Sequence, residues 1–281
     1  MDGVSLWQSV VLGIVEGLTE YLPVSSTGHL TITEKLLGMP VNDPAVTAFT
    51  AIIQIGAIAA AVIYFWKDIV KIIVAFVSGV FDAEARKVAE WNLACAVIVG
   101  SIPIGAVGFL LRDVISGPLR SLWVVAGGLI LWSGVMVFAE RAATLQRGER
   151  DVRLMDGLII GSIQIFSLIP GVSRSGATIS AGLLRDLDRV TATRLSFLLG
   201  IPALVAAGVF QAIDERSEIS ERVGWTPTVV GIVVSFVVAY ASIAWLLRFV
   251  SRNSIIPFVW YRVALGLAVI GLLSFGVITS T

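Results

Sequence analysis

Charge is scarce in this sequence, and so are the residues that build disulfides and zinc sites. Only 14% of its 281 residues are charged and 57% are hydrophobic, whereas soluble domains carry about 25% charge. The single cysteine, Cys95, excludes a disulfide within the chain. With one cysteine and one histidine, the usual zinc ligand sets are excluded as well. Acidic and basic residues number 20 each, so no net charge indicates a nucleic-acid partner, and none is expected.

The hydrophobic residues are gathered in long runs, which is typical of an integral membrane protein. Crossing the hydrocarbon core takes about 20 apolar residues, and six runs meet this requirement: 45–66, 91–111, 121–139, 194–213, 227–248 and 255–278. The N-terminal run is not a signal peptide by pattern, because no Lys or Arg precedes Lys35 and because it contains Glu16 and Glu20. We therefore expect an all-α multi-pass protein with the bilayer as its surroundings.

Two further apolar segments, 4–36 and 154–186, are broken in the middle by Pro, Gly and hydroxyl residues. Each pattern predicts two half-length helices around a polar turn, as in a re-entrant hairpin that enters and leaves on one side of the membrane. Irregular backbone is tolerated at membrane depth only when protein or a polar cavity surrounds it. The sequence thus predicts six transmembrane helices plus two re-entrant hairpins.

The two broken segments are related by a shift of 148 residues, which pairs Ser25 with Ser173 and Gly28 with Gly176. In each half of the chain, one broken segment precedes three spans. Since three is odd, the halves should have opposite orientations in the membrane. We predict one membrane domain, 1–281, built from two inverted repeats, 1–140 and 149–281.

The distribution of basic residues predicts the orientation, because cytoplasmic loops are rich in Lys and Arg. If loops 67–90, 140–153, 185–194 and 248–254 are cytoplasmic, that side carries thirteen basic residues. The other side then carries five: Lys35, Arg112, Arg120, Arg216 and Arg222. Both termini are predicted outside the cell membrane, and the two hairpin tips are expected to meet near the membrane midplane.

Glu16 and Glu20 are the first candidates for chemistry. At positions i and i+4 of a helix, they share one face, and two adjacent carboxylates away from water need a cation or a proton between them. The pattern indicates a divalent-metal site for Mg²⁺ or Ca²⁺ or an acid/base pair. The alternative is a polar stripe on an exposed turn.

The two turns resemble anion-binding sites. Pro23 and Gly28 bracket the first turn, and a helix capped by Ser or Thr is expected to follow over Leu30 to Leu37. Backbone N–H groups at such helix starts bind anions, and Arg174 in the second turn adds a guanidinium that matches phosphate. The predicted substrate-binding residues are Ser25, Thr27, Gly28, Gln54, Gln164, Ser173, Ser175, Gly176 and Thr178.

Two residues compete for the role of nucleophile. Ser26 is a hydroxyl beside carboxylates, and His29 is the only histidine and can act as nucleophile or general acid. The sequence does not rank them. Gln54 and Gln164 either line the same pocket or bond across helices, and Arg262 in the last span either pairs internally or extends to the membrane surface.

These segments resemble a known family. Glu-Gly-Leu-Thr-Glu-Tyr-Leu-Pro-Val-Ser-Ser-Thr-Gly-His (16–29) and Pro-Gly-Val-Ser-Arg-Ser-Gly-Ala-Thr (170–178) resemble the two signature motifs of the undecaprenyl-diphosphatases, the bacitracin-resistance type of membrane phosphatase. The resemblance implies hydrolysis of undecaprenyl pyrophosphate, a polyprenyl pyrophosphate lipid, to undecaprenyl phosphate and inorganic phosphate. This reaction recycles the lipid carrier for peptidoglycan and confers bacitracin resistance.

The resemblance also implies roles for the candidate residues. Glu16 and Glu20 would hold a divalent cation or act as base, Arg174 would bind the phosphates, and Ser26 or His29 would attack phosphorus, at a site open to the outer face. An inverted-repeat transporter or flippase of a phosphorylated lipid is the main alternative, and a non-catalytic membrane scaffold is another. A homodimer is an option that the sequence does not decide.

Overall fold

The structure, a computed structural model, describes residues 4–41, 43–111, 114, 119 and 121–280. In these residues the regular elements are helices. The eleven main ones are α1 Leu6–Thr19, α2 Ser26–Leu36, α3 Pro44–Tyr64, α4 Trp66–Phe81, α5 Ala89–Leu110, α6 Leu122–Ala142, α7 Leu154–Gln164, α8 Arg174–Leu184, α9 Arg189–Asp214, α10 Trp225–Val250 and α11 Ile256–Ser274. Arg112 and Arg120, two of the basic residues predicted outside, lie outside the described residues.

Six of these helices are long and apolar enough to cross a membrane: α3, α5, α6, α9, α10 and α11. They match the six apolar runs one for one, and this prediction is confirmed for the described chain. The ends differ by a few residues because capping side chains set them. Asp43 accepts a hydrogen bond from the Ala45 amide at 2.8 Å, and Asp188 accepts one from the Thr191 amide at 2.8 Å, so both helices begin earlier than their apolar runs.

The segment predicted as loop 67–90 contains helix α4, which corrects that expectation. The charged residues Lys67, Asp68 and Lys71 suggested a loop, but they occupy one face of an amphipathic helix whose other residues are apolar. The helix packs on α5 where Gly79 meets the ring of Trp91, which stacks on Phe76 at 5.6 Å.

Both broken segments are helix–turn–helix units, as expected. In the first, the chain turns between α1 and α2 at residues 20–25. Helix α2 begins at Ser26 rather than at Leu30, because Ser25 caps it and Gly28 lies within its first turn. In the second, a short 3₁₀ turn, Ile165–Leu168, follows α7 and leads to the turn before α8.

The half-length helices are held by close helix–helix contacts at glycine. Helix α1 packs against α10, and α7 packs against α5. A Cβ on Gly17 would lie 2.7 Å from the Ser235 carbonyl oxygen, and a Cβ on Gly161 would lie 2.0 Å from that of Gly100. Small residues of this kind let helix backbones approach closely inside a membrane. The close packing of α1 on α10 and of α7 on α5 therefore fixes the positions of the two turns that follow α1 and α7.

Ion pairs connect the loops and helix ends at one end of the molecule. Asp156 is fully buried at the start of α7, and its carboxylate accepts hydrogen bonds from Arg147 at 3.1 Å and Arg185 at 2.9 Å. Arg189 pairs with Glu140 nearby. All of these basic residues come from the loops predicted to be cytoplasmic.

Candidate active site

A cavity of about 600 Å³ lies where the two turns meet the sides of α3, α5 and α9. One end is polar, and its lining residues are Glu20, Ser25, Ser26, Thr27, Gln54, Ser173 and Arg174. The remaining wall is mostly apolar and includes Ile104, Gly108, Phe109, Leu168, Leu204, Ala207 and Phe210. The cavity thus combines a group of charged and polar residues with a mostly apolar wall, as an amphiphilic ligand requires.

The polar end is built from two matching helix starts. Ser25 and Ser173 both adopt a positive φ, 78° and 75°, and each side chain caps the helix that follows. Ser25 Oγ accepts from the Gly28 amide at 3.5 Å, and Ser173 Oγ accepts from the Gly176 amide at 3.2 Å. The cavity is therefore bordered by the N-termini of α2 and α8, which carry positive partial charge and amide donors suited to an anion.

Glu20 is the centre of the hydrogen bonds at this end. Its Oε1 pairs with Arg174 Nη2 at 3.2 Å, and its Oε2 accepts from Ser26 Oγ at 2.7 Å and from Gln54 Nε2 at 3.3 Å. The prediction that the two clusters meet is confirmed by the Glu20–Arg174 contact. The carboxylate of Glu20 therefore lies within hydrogen-bond reach of both a hydroxyl and a guanidinium.

Glu16 lies one turn before Glu20 on the same helix face, as predicted, and both side chains are buried, with exposed fractions of 1% and 6%. The alternative of an exposed polar stripe is therefore wrong. Glu16 Oε1 has no hydrogen-bond partner among the described residues, and its carboxylate interacts electrostatically with Glu20 and Arg174. An unsatisfied buried carboxylate oxygen beside a second carboxylate suits a hard divalent cation.

His29 does not line the cavity. Its Nδ1 lies 2.7 Å from the Ser25 carbonyl oxygen, and its Nε2 lies 2.6 Å from the hydroxyl of Tyr261, on whose ring it stacks at 5.5 Å. Because the carbonyl only accepts, Nδ1 carries the proton and Nε2 accepts from the tyrosine. Both nitrogens are therefore engaged by protein groups, and a catalytic role for His29 stays a prediction.

Three of the predicted binding residues of the second cluster lie behind the cavity wall rather than on it. Ser175 donates to the Leu22 carbonyl at 2.9 Å and so joins the two turns. Thr178 donates to the Arg174 carbonyl at 2.8 Å and lies 2.5 Å from Ser196. Gly176 contributes the capped amide. These contacts fix the position of the Arg174 backbone. Ser175, Gly176 and Thr178 would therefore affect substrate binding only indirectly.

The two glutamines differ. Gln54 lines the cavity and also bonds to Glu20 at the end of α1, so it has both of the roles that were expected as alternatives. Gln164 is fully buried, does not line the cavity, and has no hydrogen-bond partner for either amide atom among the described residues. Gln164 corresponds to Glu16 under the 148-residue shift, which accounts for a polar residue at this position. It nevertheless does not line the cavity.

The apolar walls of the cavity, formed by α5 and α9, were not predicted from the sequence. Each wall begins one residue after a proline inside a helix, Pro103 in α5 and Pro202 in α9. Proline removes a helical hydrogen bond, and Ser101 Oγ donates to the Leu199 carbonyl at 3.2 Å at the same level of the two helices. The signal in the sequence was a proline inside each of two spans, followed by small and apolar residues.

Comparison with known proteins agrees with this geometry. A family model described as bacitracin resistance protein BacA matches residues 9–268. The undecaprenyl-diphosphatase of Cutibacterium acnes is 54% identical over 279 residues, covering 97% of this chain and 98% of that protein. Undecaprenyl-diphosphatase 1 of Streptomyces coelicolor is 53% identical over 281 residues, the full length of both. Undecaprenyl-diphosphatase 3 of Frankia casuarinae is 54% identical over 274 residues, covering 98% and 99% of the two chains.

Fold and cavity together define a multi-pass membrane protein with a buried polar site between two broken helical segments. The chain belongs to the bacitracin resistance protein family. The names of its relatives favour the phosphatase interpretation over the transporter and the scaffold.

Proposed function

We propose that this protein hydrolyses undecaprenyl pyrophosphate to undecaprenyl phosphate and inorganic phosphate, as its relatives are named for doing. The observation that carries the proposal is the Glu20–Arg174 contact, which brings base, hydroxyl and phosphate-binding cation to the polar end of a cavity whose remaining wall is mostly apolar. The pyrophosphate would occupy the polar end, and the first isoprene units would lie along the apolar walls.

The architecture that we propose is a pair of inverted repeats, 1–140 and 149–281, each starting with a re-entrant hairpin. The matched caps at Ser25 and Ser173 support it, since they recur at the 148-residue shift with nearly equal φ. The packing of α1 on α10 and of α7 on α5 supports it too, because in each case the first helix of one half packs on the second span of the other half.

We propose that both termini lie outside the plasma membrane and that the cavity opens to the outer face. The buried Asp156 and its arginines lie at the end predicted to be cytoplasmic. Helices α5 and α9 run outward from that end, and the cavity walls are formed by their later parts, after Pro103 and Pro202. A homodimer remains a prediction.

A divalent cation, Mg²⁺ or Ca²⁺, fits the residues present. Glu16 and Glu20 would hold it, and their oxygens match the ligands that these ions prefer. The described residues contain no group of three or more His, Cys, Asp or Glu that could bind a metal, so the pyrophosphate oxygens would complete its shell. When bound, the cation would neutralise phosphate charge and polarise the terminal phosphoryl group.

The chain's own residues account for the chemistry as follows. Ser26 Oγ gives its proton to Glu20 and forms a bond to the terminal phosphorus, while the bridging P–O bond breaks and undecaprenyl phosphate leaves. Arg174 and the N-termini of α2 and α8 stabilise the charge on the phosphoryl oxygens. Water then attacks the phosphoserine, inorganic phosphate leaves, and the proton returns from Glu20 to Ser26.

For His29 we propose a supporting role, in which its Nδ1–H holds the Ser25 carbonyl and so fixes the start of α2. This role can be separated from proton transfer. Asn at position 29 can donate to the Ser25 carbonyl but cannot carry a proton, so His29→Asn should retain at least about tenfold more activity than His29→Ala. Equal losses in both variants would favour the catalytic role.

The decisive experiment is phosphate release from undecaprenyl pyrophosphate by the purified protein in detergent, with Mg²⁺ or Ca²⁺ and with chelator. We expect release that depends on the cation and is lost in Glu20→Gln. No release under any of these conditions, together with transport of a phosphorylated lipid in vesicles, would overturn the proposal in favour of a carrier.

A further inference from the structure

Arg262 is the largest fully buried side chain of the described residues, and it lies in the second turn of helix α11. No carboxylate among the described residues forms an ion pair with it. A charge in the membrane interior without a counter-ion is costly, and such residues are retained when they have a specific role. Arg262 does not line the cavity, so its role must act through other residues.

The guanidinium of Arg262 binds both turns at once. Its Nη1 donates to the Pro23 carbonyl at 3.2 Å, and its Nη2 donates to the Gly171 carbonyl at 2.9 Å. Pro23 and Gly171 are themselves related by the 148-residue shift. The side chain of Arg262 therefore binds the backbone carbonyl at equivalent positions in the two halves of the chain.

The remaining contacts anchor this side chain to α6. Nη2 also donates to the Gly128 carbonyl at 3.2 Å, and Nε donates to Ser133 Oγ at 3.2 Å. A Cβ on Gly128 would lie 2.5 Å from the Pro170 carbonyl oxygen, so the second turn rests directly on the helix that anchors Arg262. The planar guanidinium has five N–H donors in fixed directions, which lysine cannot reproduce.

The groups that would react are divided between the two turns. The first turn carries Glu20 and Ser26, which would attack. The second turn carries Ser173 and Arg174, which would hold the phosphates. The distance between nucleophile and phosphorus therefore depends on how the turns are held together, and misplacement by about 1 Å can cost about 100-fold in rate.

We propose that Arg262 is a positioning residue, which fixes the separation of the two turns and thereby places Ser26 against a phosphate held by Arg174. This inference rests on the proposed hydrolysis. Loss of the guanidinium leaves the internal contacts of the second turn, such as the cap of Ser173 on the Gly176 amide, in place, but it lets the two turns shift relative to each other. It should therefore lower kcat and leave KM nearly unchanged.

The test compares Arg262→Lys, Arg262→Met and Gly128→Ala with wild type in detergent, using undecaprenyl pyrophosphate. Binding of a methylene-bridged, non-hydrolysable analogue counts the competent sites, so that kcat is expressed per site. We expect kcat to fall at least about tenfold, with KM within about threefold and with Arg262→Lys retaining more activity than Arg262→Met. Gly128→Ala, which displaces the second turn independently, should behave like Arg262→Lys.

Ser133→Ala is the matched control, because it removes one contact of Arg262 without touching either turn, and its kcat should stay within about threefold of wild type. A normal kcat per site in Arg262→Lys, or a loss explained wholly by fewer competent sites, would overturn the inference while leaving the proposed function intact. A rise in KM alone would also overturn it. An inactive wild type would instead defeat the proposed function.

Discussion

Arg174 Nη2 lies 3.2 Å from Glu20 Oε1, although the two residues are 154 positions apart in the chain. Both side chains are buried, with 10% and 5% of their surface exposed, and the guanidinium also lies over the ring of Tyr21 at 5.7 Å. Each charge offsets the cost of burying the other. The contact also joins the phosphate-binding half of the site to the attacking half.

The first prediction concerns Arg174. Arg174→Ala should lower kcat/KM at least about 100-fold, because a charge-stabilising group is lost from a site shielded from water. Arg174→Lys should recover only part of this, since an ammonium cannot bind phosphate oxygens with a planar fork. Phosphate release measures both variants. Arg248→Ala, at an exposed position in the last turn of α10, is the control and should be near wild type.

The second prediction separates Ser26 from other hydroxyls. Ser26→Ala should reduce kcat at least about 100-fold, because it removes the proposed nucleophile, while the binding of a non-hydrolysable analogue persists. Ser162→Ala is the comparison, since that hydroxyl bonds only to the Leu158 carbonyl of its own helix. Rapid acid quenching of wild type with substrate labelled at the terminal phosphate should trap label on Ser26. Full activity of Ser26→Ala would remove it from the mechanism.

The third prediction concerns the divalent cation. Glu16→Gln should raise the concentration of Mg²⁺ or Ca²⁺ required for half-maximal activity by at least about tenfold, because it replaces a charged oxygen ligand by a neutral one. Cation titrations of phosphate release provide the measurement, and direct calcium binding to the substrate-free protein gives an independent readout. An unchanged cation requirement would place the metal elsewhere.

The fourth prediction tests the apolar wall. The nearest atom to a Cβ on Gly108 is Leu168 Cδ2 at 3.7 Å, so Ala fits there and Phe would fill the cavity. Gly108→Phe should raise KM for undecaprenyl pyrophosphate about tenfold and change KM for a short-chain pyrophosphate less. Gly127→Phe is a control in open space on α6. Equal effects on both chain lengths would argue against a lipid tail at this wall.

The fifth prediction concerns stability at the end of the molecule that contains Asp156. Burial opposes ionisation of Asp156, but hydrogen bonds from Arg147, from the Arg153 backbone and from Arg185 outweigh it and lower its pKa from the ordinary 3.8. Asp156→Asn should lower the free energy of unfolding by about 2–3 kcal/mol. This is less than the loss for a fully buried ion pair, because both arginines are partly exposed.

The same carboxylate sets a pH dependence. Since its pKa is lowered in the folded state, its contribution is complete above pH 3.8 and is lost as the pH falls through the lowered value. Thermal unfolding in detergent should show this loss in wild type and not in Asp156→Asn. Asp214→Asn, at an exposed position at the end of α9, serves as control. Identical acid sensitivity in Asp156→Asn and wild type would contradict the assignment.

The sequence by itself determined the six long apolar helices and the two interrupted segments of this protein, but not helix α4. Runs of about 20 apolar residues can only be helices in a membrane, because each backbone group must be hydrogen-bonded within its own segment. Pro, Gly and hydroxyl residues in the middle of 4–36 and 154–186 predicted the two interruptions, and the i, i+4 spacing placed Glu16 and Glu20 on one face. The opposite orientations expected for the two halves predicted that the two clusters meet.

Only the tertiary structure decided which candidates face the cavity. His29 belongs to the first motif, yet its ring is directed to Ser25 and Tyr261, and Gln164 is buried away from the site. Arg262 joins both turns from the last helix. Local spacing specifies neighbours within one helix, whereas these relationships depend on how α5, α6, α9 and α11 pack around the turns, and that packing is set by glycine contacts spread over the whole chain.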